Sequence, residues 1–205
     1  MARKLDISPK KLPTQRRAIA TVEALIEAAT YILTRRGVGD FTANKVAEKA
    51  GVNIASLYQY FPNKEALLFH IVKQTWTRQL NRLSPILVRP GPAHGEKLRD
   101  FLREFFLIEA AEADLRRALW AASIDLRETD EFKSLLSAGA DLMKTFIAEA
   151  VRDRERGDLD FVVNFIVLLT TSFAERSTDA GTTGCDLVRQ ADMLTDMLVK
   201  QFGIK

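Results

Sequence analysis

Small and hydrogen-bonding side chains recur along residues 53–60 at spacings that place them on one side of a short helix. At 100° per residue, the positions that face away from Leu57 are Ala55, Ser56 and Gln59, with Tyr58 on the flank. A slim helix with amide and hydroxyl groups suits the major groove of DNA, where bulk prevents close approach and base edges offer hydrogen-bond partners. These residue types therefore indicate recognition of a nucleic acid.

Two helices and a tight turn must hold these side chains in place. Thr42 can cap a first helix with its hydroxyl oxygen, and Gly51 stands where a helix-ending residue with positive φ is expected. A second helix is predicted over residues 53–60, because Pro62 disfavours the helical conformation at the residue before it. Helix, short turn with glycine, helix is the helix-turn-helix pattern. Periodicity alone supports a DNA-binding pair and an ordinary pair of packed helices about equally.

The order of residues decides between these interpretations. Residues 42–67 resemble the TetR family of bacterial transcriptional regulators, whose pattern is a Thr, V/I-A-x-x-A-G-V, small residues, L-Y-x-Y/H-F and K-E-x-L. The matching residues are Thr42, Val46-Ala47, Ala50-Gly51-Val52, Leu57-Tyr58-Gln59-Tyr60-Phe61 and Lys64-Glu65-Ala66-Leu67. The family often has Gly in place of Ala55, and Ser or Thr in place of Asn53. Both residues are small, so docking is expected to persist, while the base preference is not carried over.

The resemblance, which reaches over residues 18–80, implies a role for each matched position. Positions that meet the phosphate backbone in the family correspond here to Thr42, Asn53, Ser56, Tyr58, Tyr60 and Lys64. Ile54, Ala55 and Gln59 match positions nearer the base edges, and the Gln59 amide has the geometry to pair with adenine. The resemblance also implies a homodimer and an effector pocket in the C-terminal part.

Charge is distributed unevenly along the chain. The 205 residues carry a net +3, but residues 1–80 hold 13 Lys/Arg and 6 Asp/Glu, a net +7. Residues 81–205 hold 17 and 21 of them, a net −4. A basic front and a mildly acidic rear are expected when one end of a protein meets phosphates. Charge by itself leaves open an ordinary solvated surface of mixed sign.

Helical periodicity without any strand pattern predicts an all-α protein of about nine helices. We expect a flexible basic arm over residues 1–15, which either reaches a minor groove or is an unstructured tail. A helix-turn-helix DNA-binding domain is predicted over residues 16–62. A connecting helix follows over residues 63–83, ended by nearby prolines and glycines. Residues 84–205 are predicted to form a helical ligand-binding and dimerisation domain.

Within this last domain, apolar spacing predicts helices over about residues 96–112, 114–128, 129–156, 158–178 and 186–202. The fourth of them is apolar nearly all round, which predicts burial on every side. Pairing of the last two helices with their symmetry mates would make a four-helix dimer contact. Its predicted residues are Phe161, Phe165, Leu169, Leu187, Leu194 and Leu198. The alternative is that these residues form the core of a monomer.

Aromatic and small polar side chains mix in the middle helices. Ligand pockets are largely apolar with a few polar anchors. The residues predicted to line the effector pocket are Phe101, Phe105, Trp120, Phe146 and Asn164. Taken singly, each aromatic residue is more often a core residue than a ligand contact.

Catalytic patterns find little support in the sequence. His70 and His94 have no carboxylate or cysteine near them at metal-ligand spacing, and phosphate-loop and nucleophile motifs are missing. We therefore predict no enzyme activity, no metal and no cofactor. A single cysteine, Cys185, excludes an internal disulfide and fits a reducing compartment, although a redox role stays open. With no signal-peptide pattern and no apolar run of membrane-spanning length, the sequence predicts a cytoplasmic protein without a membrane partner.

These observations favour a ligand-responsive transcriptional regulator that binds double-stranded DNA as a homodimer. Its most common form is a repressor that an unknown small molecule releases from a palindromic operator. The alternative function is an all-helical protein-interaction or small-molecule-binding protein without a DNA role. The basic front half and the outward polar residues of the second short helix favour the regulator.

Overall fold

The computed structural model describes residues 6–10, 13–151 and 156–204. Nine α-helices form the regular structure of these residues, with two short 3-10 turns and no strand, which confirms the all-α prediction. The helices are α1 (Arg16–Arg35), α2 (Ala43–Lys49), α3 (Ile54–Tyr60), α4 (Lys64–Val88), α5 (His94–Ala111), α6 (Ala113–Ala122), α7 (Asp130–Ala150), α8 (Arg156–Asp179) and α9 (Gly184–Phe202).

The chain divides into two compact units. The head unit comprises the described residues up to Trp76 together with Asp114–Lys133. The rear unit comprises Thr77–Ala113 and the described residues from Ser134 onward. The division falls within α4, near the start of α6 and within α7, whereas the sequence placed domain limits after residues 62 and 83. Those sequence-based limits stay predictions.

In the head unit, α1, α2 and α3 pack on one another. The buried face of α1 follows the helical repeat and consists of Val22, Leu25, Ala28, Ala29, Ile32 and Leu33. The segment Asp114–Lys133 belongs to the same unit, and the ring of Phe132 lies 6.5 Å from that of Phe69. The prediction of one unbroken helix over residues 114–128 is wrong. Helix α6 ends at Ala122, and a 3-10 turn follows, where the buried Ser123 hydroxyl donates to the carbonyl of Leu119.

Helix α4 is longer than its sequence predicts. It continues through Pro85 to Val88, although proline lacks an N–H and crowds the preceding turn. Leu83 and Leu87 are buried on either side of the proline, and Arg89 forms an ion pair with Asp100. Burial of two leucines contributes about 3–6 kcal/mol, which offsets the cost of roughly 3 kcal/mol for an internal proline. Tertiary packing therefore overrides the local stop signal.

In the rear unit, α5 packs along α9 and also against α8. Gly95 of α5 lies beside α9, where a Cβ added to it would make an ordinary contact with the Val199 side chain at 3.4 Å. Arg103 donates two hydrogen bonds to Asp192, at 2.6 and 2.8 Å. The bond from Arg103 holds the pKa of the Asp192 carboxyl below its ordinary value. Apolar packing and charge pairing therefore fix the same pair of helices.

Helix α7 ends at Ala150, earlier than the predicted end near residue 156; residues 152–155 lie outside the described part of the chain.

Helix α8 differs from its prediction in how far its side chains are buried. Its Val162, Val163 and Ile166 are buried in the rear core, but Phe161 is 67% exposed and Leu168 is equally open. The expectation that α8 is buried on every side is therefore wrong for the single chain.

The predicted flexible arm over residues 1–15 is corrected for residues 6–10. The Ile7 side chain is only 1% exposed, and the Lys10 backbone N–H donates to the carbonyl of Tyr60 at 2.8 Å. These residues are held because an apolar anchor and hydrogen bonds offset the entropy of ordering a short segment. Residues 1–5 and 11–12 of the predicted arm lie outside the described residues.

Candidate nucleic-acid interface

Local hydrogen bonds build the α2–turn–α3 unit as the sequence indicates. The Thr42 hydroxyl oxygen accepts from the Lys45 N–H at 3.3 Å and caps α2. Gly51 has φ +67°, which L side chains rarely adopt, and it turns the chain after α2. The Asn53 carboxamide oxygen accepts from the Ala55 N–H at 2.8 Å and caps α3. Each end of the turn therefore has a specific chemical cause.

One aliphatic and one aromatic side chain are buried and so determine which side of α3 faces outward. Leu57 and Phe61, four residues apart, are fully buried in the head unit. The opposite side leaves Ala55, Tyr58 and Gln59 exposed. The predicted contact residues Ile54, Ser56 and Tyr60 are half-buried along its flanks. Helix α3 thus presents a narrow polar surface with one small residue at its middle.

Cations lie around this surface, and several already have partners within the head unit. Lys45 forms an ion pair with Asp40 at 2.7 Å, and this bond holds the pKa of the Asp40 carboxyl below its ordinary value. The Lys49 ammonium lies 4.1 Å from the centre of the Tyr31 ring. Lys64, a predicted phosphate contact, is half-buried and donates to the carbonyl of Phe41 at 3.2 Å. An ammonium has three donors, so this bond leaves two of them for a phosphate.

Contacts from the chain's N-terminal side were missed by sequence reasoning. The Lys10 ammonium donates to the Tyr58 carbonyl at 2.9 Å, while its backbone N–H binds the Tyr60 carbonyl. The Asn63 side chain donates to the Asp6 carbonyl at 2.8 Å. These partners are 48 to 57 residues apart in the chain, so no local pattern reports them. The sequence signal is weak, because Ile7 is one of three large aliphatic residues, with Leu5 and Leu12, in an otherwise mostly polar stretch.

The residues predicted for an effector pocket differ in burial, and they do not all lie in the same unit. Phe146 is buried in the rear core, and Phe101 and Phe105 pack against that core with their rings 6.3 Å apart. Asn164 is exposed on α8. Trp120 belongs to the head unit, is 55% exposed, and has the Arg127 guanidinium 3.4 Å above its ring. Among the predicted pocket residues, the described contacts thus join Phe101 and Phe105.

The residues predicted for a dimer contact fall into two groups. Leu187, Leu194 and Leu198 are buried in the core of the rear unit, so they are not available to a second copy. Their α9 face meets α5 instead, because that is the face with an apolar partner inside the chain. Leu169 is half-buried, while Phe161 and Phe165 are exposed with their rings 6.1 Å apart.

An exposed stripe on α8 and α9 was only partly foreseen. Phe161, Phe165 and Leu168 follow the spacing i, i+4, i+7 along α8 and are all exposed. Met193 and Met197 repeat four apart on α9, and both are more than half exposed. These five residues are called the apolar face below. Exposed large apolar side chains at helical spacing on two helices are typical of an interaction site when they form one patch.

Other chemistry is sparse in the described part of the chain. There, no group of three or more His, Cys, Asp or Glu side chains is placed to bind a metal ion. A search of the same residues finds no helix with the length and apolar character needed to cross a membrane. Cys185 is exposed and unpaired as a thiol. His70 is half-buried beside Phe61, and burial lowers the pKa of its imidazole.

The geometry defines a helix-turn-helix protein with a helical rear unit, and comparison with known proteins agrees. Residues 25–71 match the family model of the bacterial regulatory proteins of the tetR family. This match covers α2, α3 and parts of the helices on either side. The α2–turn–α3 segment of this chain is therefore similar to the DNA-binding part of the TetR family of transcriptional regulators.

Relatives and solved structures place the rest of the chain in the same fold. The fatty acid metabolism regulator protein of Bacillus subtilis strain 168 is 23% identical over 135 residues, or 64% of this chain and 68% of the relative. Crystallised FadR of Bacillus subtilis, in complex with stearoyl-CoA, is 19% identical with a TM-score of 0.70, over 86% of this chain and 97% of that one. SmeT, the repressor of a Stenotrophomonas maltophilia multidrug efflux pump, is 22% identical with a TM-score of 0.68, over 91% and 93%.

Proposed function

We propose that this regulator is a homodimeric repressor that binds a two-fold symmetric operator and is released by an apolar small molecule. The observation that carries the proposal is the contrast between the two exposed surfaces of α3 and α8–α9. The first is narrow and polar, as a groove-reading helix requires. The second carries five exposed large apolar side chains, which suit the core of a protein contact.

A second copy of the chain is the occupant that best suits the apolar face. A helix of seven residues reaches few base pairs, so groove readers of this type gain specificity from two half-sites. The two readers must lie about 34–36 Å apart, or a matching multiple, to enter successive grooves. Because two helices carry the apolar face, its self-association gives an isologous four-helix contact.

The contacts with DNA are proposed as follows. Gln59 and Ala55 face the base edges, because both are exposed in the line opposite the buried Leu57. The exposed Tyr58 side chain and the ammonium of Lys64 are proposed to meet phosphates. Thr42, Asn53, Ser56 and Tyr60 support the phosphate contacts at the flanks, and Ile54 lies near the bases.

The effector is proposed to be an apolar molecule with a long hydrocarbon part. Phenylalanines crowd one region of the rear unit: Phe105 contacts both Phe101 and Phe106, and Phe106 contacts Phe173. Rings of this kind suit an apolar ligand, with few polar anchors to fix its orientation. The similar FadR protein was crystallised with stearoyl-CoA, which makes a fatty acyl group the first class to test.

Release is proposed to act through α4. This helix starts directly after α3 and is continuous across the division between the two units. A ligand that favours a different tilt of α4 would change the distance between the two reading helices of a dimer. An ordinary coupling of about 1–3 kcal/mol weakens operator binding roughly 5- to 150-fold. Linkage requires that operator DNA weaken the ligand by the same factor.

The first experiment is a gel shift of the full chain on the DNA upstream of its own gene, with and without stearoyl-CoA. We expect a salt-sensitive complex on one palindromic segment, and its loss when the acyl-CoA is added. Binding to every DNA with equal affinity would contradict a regulator with its own operator. An operator complex that withstands stearoyl-CoA and a panel of free fatty acids would contradict the acyl effector.

Sedimentation of variants tests the dimer. The substituted residues are exposed, so the changes should leave folding intact. Phe161→Glu places a charge on the apolar face and should give monomers at micromolar concentration, with unchanged helix content and collapsed operator affinity. Val88→Glu is the matched control, since Val88 is equally exposed on another helix of the rear unit. A monomeric wild-type chain, or a Phe161→Glu chain that stays dimeric, would contradict the proposed interface.

A further inference from the structure

We propose that residues 6–10 act as a clasp that fixes the C-terminal end of α3, and that Lys10 is a positioning residue for sequence-specific DNA recognition. This inference rests on the DNA-reading role proposed for α3. It assigns the basic N-terminal segment a function in holding the reading helix, distinct from contact with phosphates.

The two hydrogen bonds of Lys10 meet the end of α3 that lacks partners of its own. The last four carbonyls of any α-helix have no N–H within the helix. Lys10 supplies two donors, its ammonium to Tyr58 O at 2.9 Å and its backbone N–H to Tyr60 O at 2.8 Å. A cation at a helix C-terminus also interacts favourably with the helix dipole. One residue thus satisfies two carbonyls and complements the charge of the same turn.

An apolar anchor keeps Lys10 at this place. Ile7 is 1% exposed, so the segment is held by burial of a whole side chain in addition to hydrogen bonds. Asn63 joins the anchor to the next helix, because its Nδ2 donates to Asp6 O while its Oδ1 caps α4 at the Ala66 N–H, 2.7 Å away. The clasp therefore connects the end of α3 to the start of α4 across the Phe61–Pro62 corner.

Helix α3 needs such support because it is short. Seven residues make fewer than two full turns, and isolated helices of that length are unstable in water. Its inner side is held by Leu57 and Phe61, but its last turn carries Tyr58 and Gln59 outward. Fixing the carbonyls of that turn restricts the directions these side chains take. A preorganised reading helix loses less entropy when it binds. Because base-edge contacts depend on where Gln59 points, we expect this gain mainly on the operator.

The alternative is that Lys10 contacts phosphate directly. The two roles differ in what they change. A lost phosphate contact weakens binding to every DNA sequence and lowers the salt slope by about one unit per subunit. A lost helix clasp weakens operator binding selectively, and it loosens the amides of α3 even without DNA.

The test compares the full-length wild type with Lys10→Met, Lys10→Arg and Ile7→Ala. Lys73→Met is the charge-matched control, because Lys73 is exposed on α4. An operator is first selected from a random-sequence DNA pool with the wild-type protein. Affinity for that operator and for random DNA is then measured at several salt concentrations. Hydrogen exchange of the α3 amides is followed without DNA.

For Lys10→Met we expect about fivefold weaker operator binding, because the lost hydrogen bond is exposed to water and contributes a typical net amount. Random-DNA affinity and its salt slope should match those of Lys73→Met. Exchange at the end of α3 should accelerate, and Lys10→Arg should restore both the operator affinity and the protection. Ile7→Ala should have the larger effect, roughly tenfold or more, since it releases the anchor and both hydrogen bonds.

Equal losses on operator and random DNA with a lower salt slope would overturn the clasp in favour of a phosphate contact. If operator affinity and hydrogen exchange were both unchanged, the Lys10 hydrogen bonds would have no role in fixing α3, and the clasp would also be overturned. If the wild type selects no operator, the DNA-reading role fails by itself. In that case unaltered α3 exchange in Lys10→Met and Ile7→Ala would overturn the clasp separately.

Discussion

The head and rear units expose opposite kinds of surface on helices that are equally well packed underneath. In the head, α3 buries Leu57 completely and exposes small and polar groups. In the rear, α8 buries Val162 and Ile166 and exposes phenylalanine and leucine. The proposed reading and assembly surfaces therefore differ in their outward residues, because both helices bury apolar side chains on the inward side.

The buried side of α9 is expected to contribute to stability, and its exposed side to assembly. Leu194→Asp tests the inner face of α9, where the side chain is buried within the rear core. We expect a loss of several kcal/mol in the free energy of unfolding, because a charge would be buried without a partner. Denaturant unfolding should show this loss, whereas Met193→Asp on the exposed side should be nearly neutral in stability under monomeric conditions. Equal destabilisation by both changes would mean that the two faces of α9 are not distinct.

A second prediction concerns the aromatic region of the rear unit. Phe105→Ala should blunt the response to an acyl effector and spare operator affinity measured without it. The expected loss of coupling lies within the ordinary range of about 1–3 kcal/mol. The measurement is the affinity of stearoyl-CoA with and without operator DNA, with Leu107→Ala as an exposed control on the same helix. Identical acyl-CoA affinities in the wild type, with or without operator, would remove the switch from the proposal.

Two substitutions in the head unit separate contact with bases from contact with phosphates. Gln59→Ala should relax preference at one base pair of each half-site, at a cost of roughly 1–3 kcal/mol for the preferred base. Lys64→Ala should instead weaken binding to all sequences alike and lower the salt slope by about one unit per subunit. Binding to a panel of single-base operator variants at several salt concentrations separates these effects. A change of sequence preference in Lys64→Ala with an unaltered salt slope would disprove the docking arrangement.

The smallest expected effect is a pH dependence of the head unit. Burial lowers the pKa of His70, so the folded chain keeps this imidazole neutral where the unfolded chain takes up a proton near its ordinary pKa of about 6.5. As pH falls from above 7 through this value, the unfolded state therefore binds more protons, and the free energy of unfolding decreases. Urea unfolding at pH 7.5 and 5.5 should show a larger decrease in the wild type than in His70→Gln. Equal decreases would show that another group is responsible.

Much of the head unit was predictable because its signals are local. Thr42, Gly51 and Pro62 act through their own backbone or a partner a few residues away, and each marks a helix end in the structure. The docked segment was not predictable in this way. The carbonyl that accepts the Lys10 ammonium belongs to Tyr58, 48 residues further along, and the basic stretch by itself indicates a flexible arm.

Rear-unit surfaces were harder to predict, because periodicity identifies a helix face without naming its partner. On α9, Leu194 and Leu198 form the stronger apolar pattern, and that pattern is satisfied by α5 within the same chain. The exposed methionines are a weaker pattern that only packing reveals. Because α8 lacks a polar face, its sequence does not show which residues point inward. In the structure Val162 is buried and Phe161 is exposed.

The pairing of α5 with α9 has a consequence for the order of events during synthesis. Arg103 and its partner Asp192 are 89 residues apart, whereas the contacts among α1, α2 and α3 are local in the chain. At roughly 5–20 residues per second, the ribosome adds those 89 residues in roughly 4–18 s. Throughout that interval the side of α5 that packs on α9 lacks its partner, so we expect this side to be open to chaperones while the chain is being made.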